Sequence, residues 1–266
     1  MHLERVLMTK PTYYDVVYEI NPWMNTSVGV DKSLAMQQWQ GVVNAYEKLG
    51  VKVELMEPDP KFPDMVFSAN VGLVQGNSFL RSNFKYEQRR GEAHLAEEWF
   101  RDHNFKVTTI PEELSFEGTG DALICGDFIF GGYGFRTEKE AYSHVSEAFN
   151  MEVVPIQLHH DRFYHLDTCL AVLNDDTVLC YADSFSPEDV NTIQRRVKNF
   201  VRVSRDDNMK FACNSLCVDD SVIINAGISD ELKQNLTSLD FKIIEVDTGE
   251  FIKAGGSVWC MTLALR

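Results

Sequence analysis

Four stretches of the chain repeat one pattern of polar and apolar positions. Asn70-Val-Gly-Leu-Val, a Gln-Gly-Asn turn, then Ser78-Phe-Leu is the first. Asp121-Ala-Leu-Ile, a Gly-Asp turn, then Phe128-Ile-Phe follows. Asp167-Thr-Cys-Leu-Ala-Val-Leu with an Asn-Asp-Asp turn before Val178-Leu-Cys-Tyr is the third, and Asn214-Ser-Leu-Cys-Val with an Asp-Asp turn before Val222-Ile-Ile the fourth. Each opens on Asn or Asp, and each turn carries residues that tolerate tight backbone geometry, so each reads as a β-hairpin. A helix-like stretch and a further strand come next, as at Thr137 to Phe149, Ser186 to Phe200 and Ser229 to Leu239. The lead residues stand at 70, 121, 167 and 214, and a fifth copy begins near Ser257, where the chain runs out.

The remaining strands of that fifth copy have to come from the N-terminus. Arg5-Val-Leu-Met reads as a strand, running into Tyr13-Tyr-Asp-Val-Val-Tyr and the turn Ile20-Asn21-Pro22-Trp23. Asp31 or Ser33 caps a helix over about Leu34 to Leu49, with Gly50 at its C-terminal stop and Val51 to Leu55 alternating as a strand. A helix over Glu87 to Asp102 and a strand near Phe105 to Ile110 complete the first repeat. Five hairpin–helix–strand units, the last closed by the first strand, describe a ring. In a ring, polar lead residues about 50 apart in sequence become neighbours around one axis. The alternative is an open α/β sheet with incidental spacing.

Composition narrows the function classes. The 266 residues are 44% hydrophobic and 11% aromatic, which is globular. A net charge of -15 argues against nucleic acid and anionic membranes as partners, because a phosphate footprint needs a basic face. No apolar run approaches the roughly 18 residues of a membrane span. The N-terminus lacks the basic and apolar segments of a signal peptide. Six cysteines without scaffold spacing then point to reduced thiols and a cytoplasmic location. Cys213 and Cys217 are four apart and His159-His160 adjacent, but without a second Cys pair they make no zinc site, so no metal or cofactor is expected.

Chemistry concentrates at the last stretch, Lys253-Ala-Gly-Gly-Ser-Val-Trp-Cys260-Met-Thr. Two glycines and the β-prone run Ser257-Val258-Trp259 deliver one thiol on a strand end, where a nucleophile would stand. A buried structural cysteine fits the same residues. What favours the nucleophile is its company at the other repeat starts: His165-Leu-Asp167, Phe116-Glu117-Gly118 and Asn70.

Met65-Val-Phe-Ser-Ala-Asn70-Val-Gly, Phe116-Glu-Gly-Thr-Gly-Asp121, Tyr164-His-Leu-Asp-Thr168 and Gly255-Gly-Ser-Val-Trp-Cys260, in order and one per repeat, resemble the guanidine-modifying enzymes. That family comprises arginine deiminases, dimethylarginine hydrolases, amidinotransferases and arginine dihydrolases. The resemblance spans the chain and implies a five-bladed pseudosymmetric α/β propeller, the pentein fold, with residues 1–266 as a single catalytic domain. Phe-x-Ala-Asn, where deiminases carry an aspartate, looks most like the arginine dihydrolases. Trp259 is a bulky departure beside the nucleophile.

The resemblance maps the nucleophile onto Cys260, the general acid/base onto His165 and its orienting carboxylate onto Glu117. Asp167 and Asp121 would accept hydrogen bonds from a guanidinium, and Asn70 would offer an amide with both donor and acceptor. Arg89 and Arg136 match arginines that bind an α-carboxylate, Asn21 a residue at the mouth, and Gly118 and Ser257 complete the substrate-binding set. The implied reaction is metal-free hydrolysis of free L-arginine to ornithine, ammonia and carbon dioxide, with L-arginine or a related guanidine as the partner and oligomerisation left open. An arginine deiminase or dimethylarginine hydrolase giving citrulline is the alternative among enzymes. A non-catalytic ribosome-binding propeller is the alternative from another class.

Overall fold

The computed structural model describes residues 2–266. The first unit runs β3 (Gly72–Gln75), β4 (Ser78–Arg81), α2 (Glu87–Asp102) and β5 (Lys106–Thr108), after an N-terminal β1 (Arg5–Thr9), α1 (Lys32–Lys48) and β2 (Lys52–Met56). Next come β6 (Ala122–Cys125), β7 (Phe128–Tyr133), α3 (Ala141–Phe149) and β8 (Glu152–Gln157). The third unit is β9 (Leu170–Asn174), β10 (Thr177–Cys180), α4 (Pro187–Arg196) and β11 (Asn199–Arg202), followed by a single turn α5 (Arg205–Asn208). The fourth is β12 (Leu216–Val218), β13 (Ser221–Asn225), α6 (Asp230–Ser238) and β14 (Lys242–Val246); a turn α7 (Gly249–Ile252) leads to β15 (Leu263–Leu265).

These strands form five three-stranded sheets, each an antiparallel hairpin whose second strand pairs in parallel with a third after the helix. The fifth sheet joins the chain ends: β15 pairs antiparallel with β1, and β1 parallel with β2. First strands of neighbouring blades lie against one another, β15 with β3, β6 with β9 and β9 with β12. The ring expected from the repeats is therefore the fold. Hairpin turns use the residues that signalled them, with Gly76, Gly126 and Asp219 at positive φ.

Helices pack on the outside by their apolar faces. In α1 the buried positions Ala35, Gln38, Trp39, Val42, Val43 and Tyr46 recur every three or four residues, and the Asp31 side chain accepts from Leu34 N–H to cap the helix. On α2 the Phe100 ring stacks on Phe79 of β4 with centroids 3.8 Å apart. That contact fixes the helix carrying Arg89 and Glu92 over its blade.

Several local expectations gave way to tertiary hydrogen bonds. The α3 helix starts only at Ala141 because residues 134–138 are tied elsewhere, Gly134 N–H to Thr137 and Glu138 N–H to Ser115. Lys198 and Asn199 both donate to Asp176 O, which ends α4 at Arg196 and begins β11. The segment at Tyr13–Tyr18, into which the first strand runs, is part of an irregular stretch. It is pinned across the channel mouth by Tyr14 Oη donating to Glu250 O at 2.9 Å and Trp23 Nε1 to Arg162 O at 2.6 Å. Nor does Cys260 stand on a strand: Asn214 accepts the N–H groups of Ser257, Trp259 and Cys260 and Met261 N–H closes on Ser257 O, so residues 258–261 turn and β15 begins at Leu263. The β-propensity of Val258 and Trp259 loses to those bonds.

Candidate active site

The lead residues stand in short turns just ahead of the first strand of each blade, which brings them to one end of the central axis. Cys260 Sγ lies 3.2 Å from Asp167 Oδ2 and 3.1 Å from Asn214 Nδ2. Burial, then the neighbouring Asp167, pushes the thiol well above its ordinary value. Burial likewise pushes Asp167 up to about 7. At neutral pH the resting thiol thus holds its proton tightly while Asp167 is only partly ionised, and a cation placed beside them would favour the ionised form of both.

His165 and Glu117 are both fully buried, with His165 Nε2 2.7 Å from Glu117 Oε2. Arg136 Nη1 donates to the same oxygen at 2.8 Å, and Lys85 N–H to Oε1 at 3.2 Å. Burial opposes ionisation of Glu117, but Arg136 and then His165 outweigh it and hold the carboxyl well below the usual range. An ionised Glu117 accepts from Nε2–H, so in the neutral ring Nδ1 is left bare. His165 Nδ1 is buried without a protein partner, as are Asn70 Nδ2, Asp121 Oδ2 and Asp167 Oδ1. Four unsatisfied polar atoms, three on lead residues and one on His165 two residues ahead of a lead, mark where a polar group would be recognised.

Asp121 uses its other oxygen to accept Leu166 N–H at 3.0 Å, tying two blades together. Asn70 Oδ1 accepts from Arg89 Nη1 at 2.9 Å. Arg89 itself is buried and bonded to both oxygens of Glu92 and to the carbonyls of Asp64 and Phe67. Arg136 is sandwiched between the Tyr86 and Tyr164 rings and also donates to Ile20 O. Asn21 caps its own turn through Trp23 N–H and donates to Ala254 O at 3.0 Å.

Asn21, Asn70, Arg89, Arg136 and Cys260 line one cleft, joined by Asp64, Phe67 and Tyr164. Its free volume is about 10 Å³, room for roughly one water molecule. Cavities of about 480 and 650 Å³ elsewhere on the surface contain neither Cys260 nor His165.

Gly118 and Ser257 sit behind this cleft. Gly118 has φ +58°, and a Cβ there would stand 2.6 Å from Gly72 O, so the residue lets two blades touch. Ser257 Oγ bonds Thr248 Oγ1 at 2.7 Å, away from the thiol. Trp259, the bulky departure, donates from Nε1 to Thr119 O and so braces the Glu117–Asp121 turn.

Two residues were not singled out as site members from sequence. Asn214 was visible only as the lead of the fourth repeat. Its Oδ1 accepts both Ser257 N–H and Cys260 N–H, and its Nδ2 donates to Asp167 O as well as to Cys260 Sγ. Asp64 lines the cleft fully buried, with Oδ2 accepting from Tyr18 and Oδ1 unpartnered. Nothing in its local sequence marks it.

Five blades around a buried Cys, His and Glu define a five-bladed α/β propeller of the guanidine-modifying class. More narrowly, the chain belongs to the N,N dimethylarginine dimethylhydrolase family, whose eukaryotic profile matches residues 17–266. Among its relatives is the bifunctional arginine dihydrolase/ornithine cyclodeaminase AgrE of Nostoc sp., 38% identical over 264 residues. The match takes in 97% of this chain and 37% of AgrE, so the chain spans little more than a third of that relative's length. The N(G),N(G)-dimethylarginine dimethylaminohydrolase of Mycobacterium tuberculosis is 33% identical over 98% of this chain and 86% of its own. The product-bound N-terminal domain of ArgZ, an arginine dihydrolase from the ornithine-ammonia cycle in cyanobacteria, superposes with a TM-score of 0.95 at 36% identity. That match covers 100% of this chain and 98% of the domain.

Proposed function

We propose that this chain, as a single catalytic domain, hydrolyses free L-arginine to ornithine, two ammonia and carbon dioxide through a covalent Cys260 intermediate. The guanidinium sits against Asp121 Oδ2 and Asp167 Oδ1, and its charge lowers the thiol's hold on its proton. Sγ gives up its proton to His165 Nδ1 and attacks the guanidino carbon, and His165 then hands that proton to the ammonia that leaves. Water, deprotonated at His165, attacks the S-amidino adduct; the S–C bond breaks and a ureido group remains. A second attack by Sγ on the ureido carbon expels the second ammonia and leaves a thiocarbamate. Water then frees a carbamic acid, which loses carbon dioxide to give ornithine.

The carboxylate and ammonium of the amino acid meet the free N–H of Arg89 and Arg136 and the open Oδ1 of Asp64. Asn21, with Ile20 and Met24, must swing aside to admit a molecule larger than water. Six free, buried cysteines support a reducing, cytoplasmic setting.

The observation that carries the dihydrolase reading over a deiminase is the Asn70 amide. Its oxygen is already held by Arg89, so it offers the cleft a donor, which suits a ureido oxygen that must be retained for the second attack. Family membership and the mycobacterial relative favour a second reading, hydrolysis of dimethylarginine. Incubation with L-arginine and, separately, with dimethylarginine decides between them: ornithine from arginine supports the proposal, while citrulline as the sole product of arginine, or turnover of dimethylarginine alone, overturns it.

A further inference from the structure

We propose that Glu92 and Arg89 form a clamp that sets which end of the Asn70 amide faces the reacting carbon, and thereby sets the product. The inference rests on the dihydrolase reading and assigns a positioning role to Glu92, a residue outside the cleft.

Glu92 is fully buried on α2, one helical turn beyond Arg89. It takes Arg89 Nε–H on both oxygens at 3.1 Å, and Nη2–H on Oε2 at 2.7 Å. The Asp64 and Phe67 carbonyls hold Nη2 as well, each at 3.3 Å, and the Phe84 ring lies 4.5 Å below the guanidinium carbon. A planar fork fixed on that many sides can direct Nη1 only one way, at Asn70 Oδ1. The backbone of Asn70 is fixed too, with its N–H on Phe67 O and its carbonyl accepting from Ser82 Oγ at 2.6 Å. Only rotation of the amide about its own axis remains.

That rotation is what the clamp prevents. Turned over, the Asn70 NH₂ would point at Arg89 Nη1–H, donor against donor, in a buried place. Oδ1 would then face the cleft, where a ureido oxygen would find an acceptor instead of a donor. Leaving a buried donor unpaired biases the two orientations by roughly ten- to a hundredfold. Gly120 closes the other side, since a Cβ there would stand 2.5 Å from Asn70 Nδ2. The helix thus decides a chemical property of a residue in a different element: whether position 70 donates or accepts.

The test measures the citrulline-to-ornithine ratio at equal arginine consumption for wild type, Glu92→Asp, Glu92→Gln and Arg89→Lys. The aspartate keeps the charge but loses the two-oxygen grip, so it leaves a foldable variant if Gln at a buried ion pair does not. Lysine reaches Glu92 or Asn70 but not both. Each variant is expected to raise the ratio, about threefold for Glu92→Asp and about tenfold or more for the others. Phe100→Leu, which loosens α2 without touching the clamp, is expected to leave the ratio at the wild-type value. Folded clamp variants with the wild-type ratio overturn the proposal, as does an equal rise in Phe100→Leu. Wild type making citrulline alone would instead sink the dihydrolase reading, a separate outcome read from the same assay.

Discussion

Asn70 and Asn214 stand at the same place in the repeat, each two residues ahead of a first strand, β3 and β12. Their amides are used in opposite ways. Asn214 commits both ends to protein: two backbone N–H groups of the terminal turn on its oxygen, a carbonyl and the Cys260 sulfur on its nitrogen. Asn70 commits its oxygen and leaves its nitrogen open in a buried cleft. The same residue type therefore builds the seat of the Cys260 thiol in one blade and leaves a donor open to the cleft in another. Satisfied buried amides rigidify, whereas a buried amide with one unpaired end is a waiting contact.

The comparison breaks most violently at the sulfur the Asn214 amide holds. Cys260→Ser is expected to lose well over a hundredfold in turnover while keeping the fold, because a hydroxyl is far less ionised. Residual activity above about a hundredth of wild type, measured on folded protein, would remove the nucleophile from this position.

Asn214→Ala should come next, with turnover down roughly a hundredfold from a displaced thiol and stability down by about 2 kcal/mol or more from two orphaned backbone N–H groups. Asn214→Asp separates the two roles, since it keeps an acceptor for those N–H groups and sets a negative charge beside sulfur. Alkylation of Cys260 by a haloacetamidine, followed against pH, should shift to higher pH in Asn214→Asp. An unchanged profile would mean that the amide only props the turn.

Asn70→Asp sharpens the other arm. A carboxylate there pairs with Arg89 and still accepts a guanidinium, but it repels a ureido oxygen. Output should move toward citrulline by roughly ten- to a hundredfold with little change in stability. Amino-acid analysis showing wild-type ornithine output would detach product choice from this residue.

The last effect is read in stability against pH instead of turnover or product, and concerns Asp167, which lies against both the sulfur and the Asn214 amide. Its folded value near 7 stands above that of an unfolded aspartate, about 3.9. The native state thus binds this proton more tightly, and the associated stability is full below about pH 4 and is lost as pH rises through 7. Asp167→Asn removes that dependence. Its stability relative to wild type should climb between pH 4 and 7 and stay level above, by on the order of 1.4 kcal/mol per pH unit across the window at most. Parallel melting curves at all pH values would show that the carboxyl is not perturbed.

Much of this was legible in the chain because it is local. A period-two run, a turn of Gly, Asn or Asp and an amphipathic helix depend on neighbours within a dozen residues, and their recurrence in four copies and the start of a fifth favoured a ring over an open sheet. The Cys260, His165 and Glu117 set was legible through motifs at repeat starts. Asn214 began a repeat as well, but a lead residue says nothing of which atoms it will meet. Asp64, the seat of the thiol on a turn instead of a strand, and the orientation of the Asn70 amide were all decided by partners far away in sequence. Arg89 and Ser82 hold position 70 from 19 and 12 residues on, and Ser257 and Cys260 complete Asn214 from 43 and 46 residues on. Propensity and periodicity act along the chain. Which lone pair faces which N–H in a buried site depends on directions that exist only once the blades have closed.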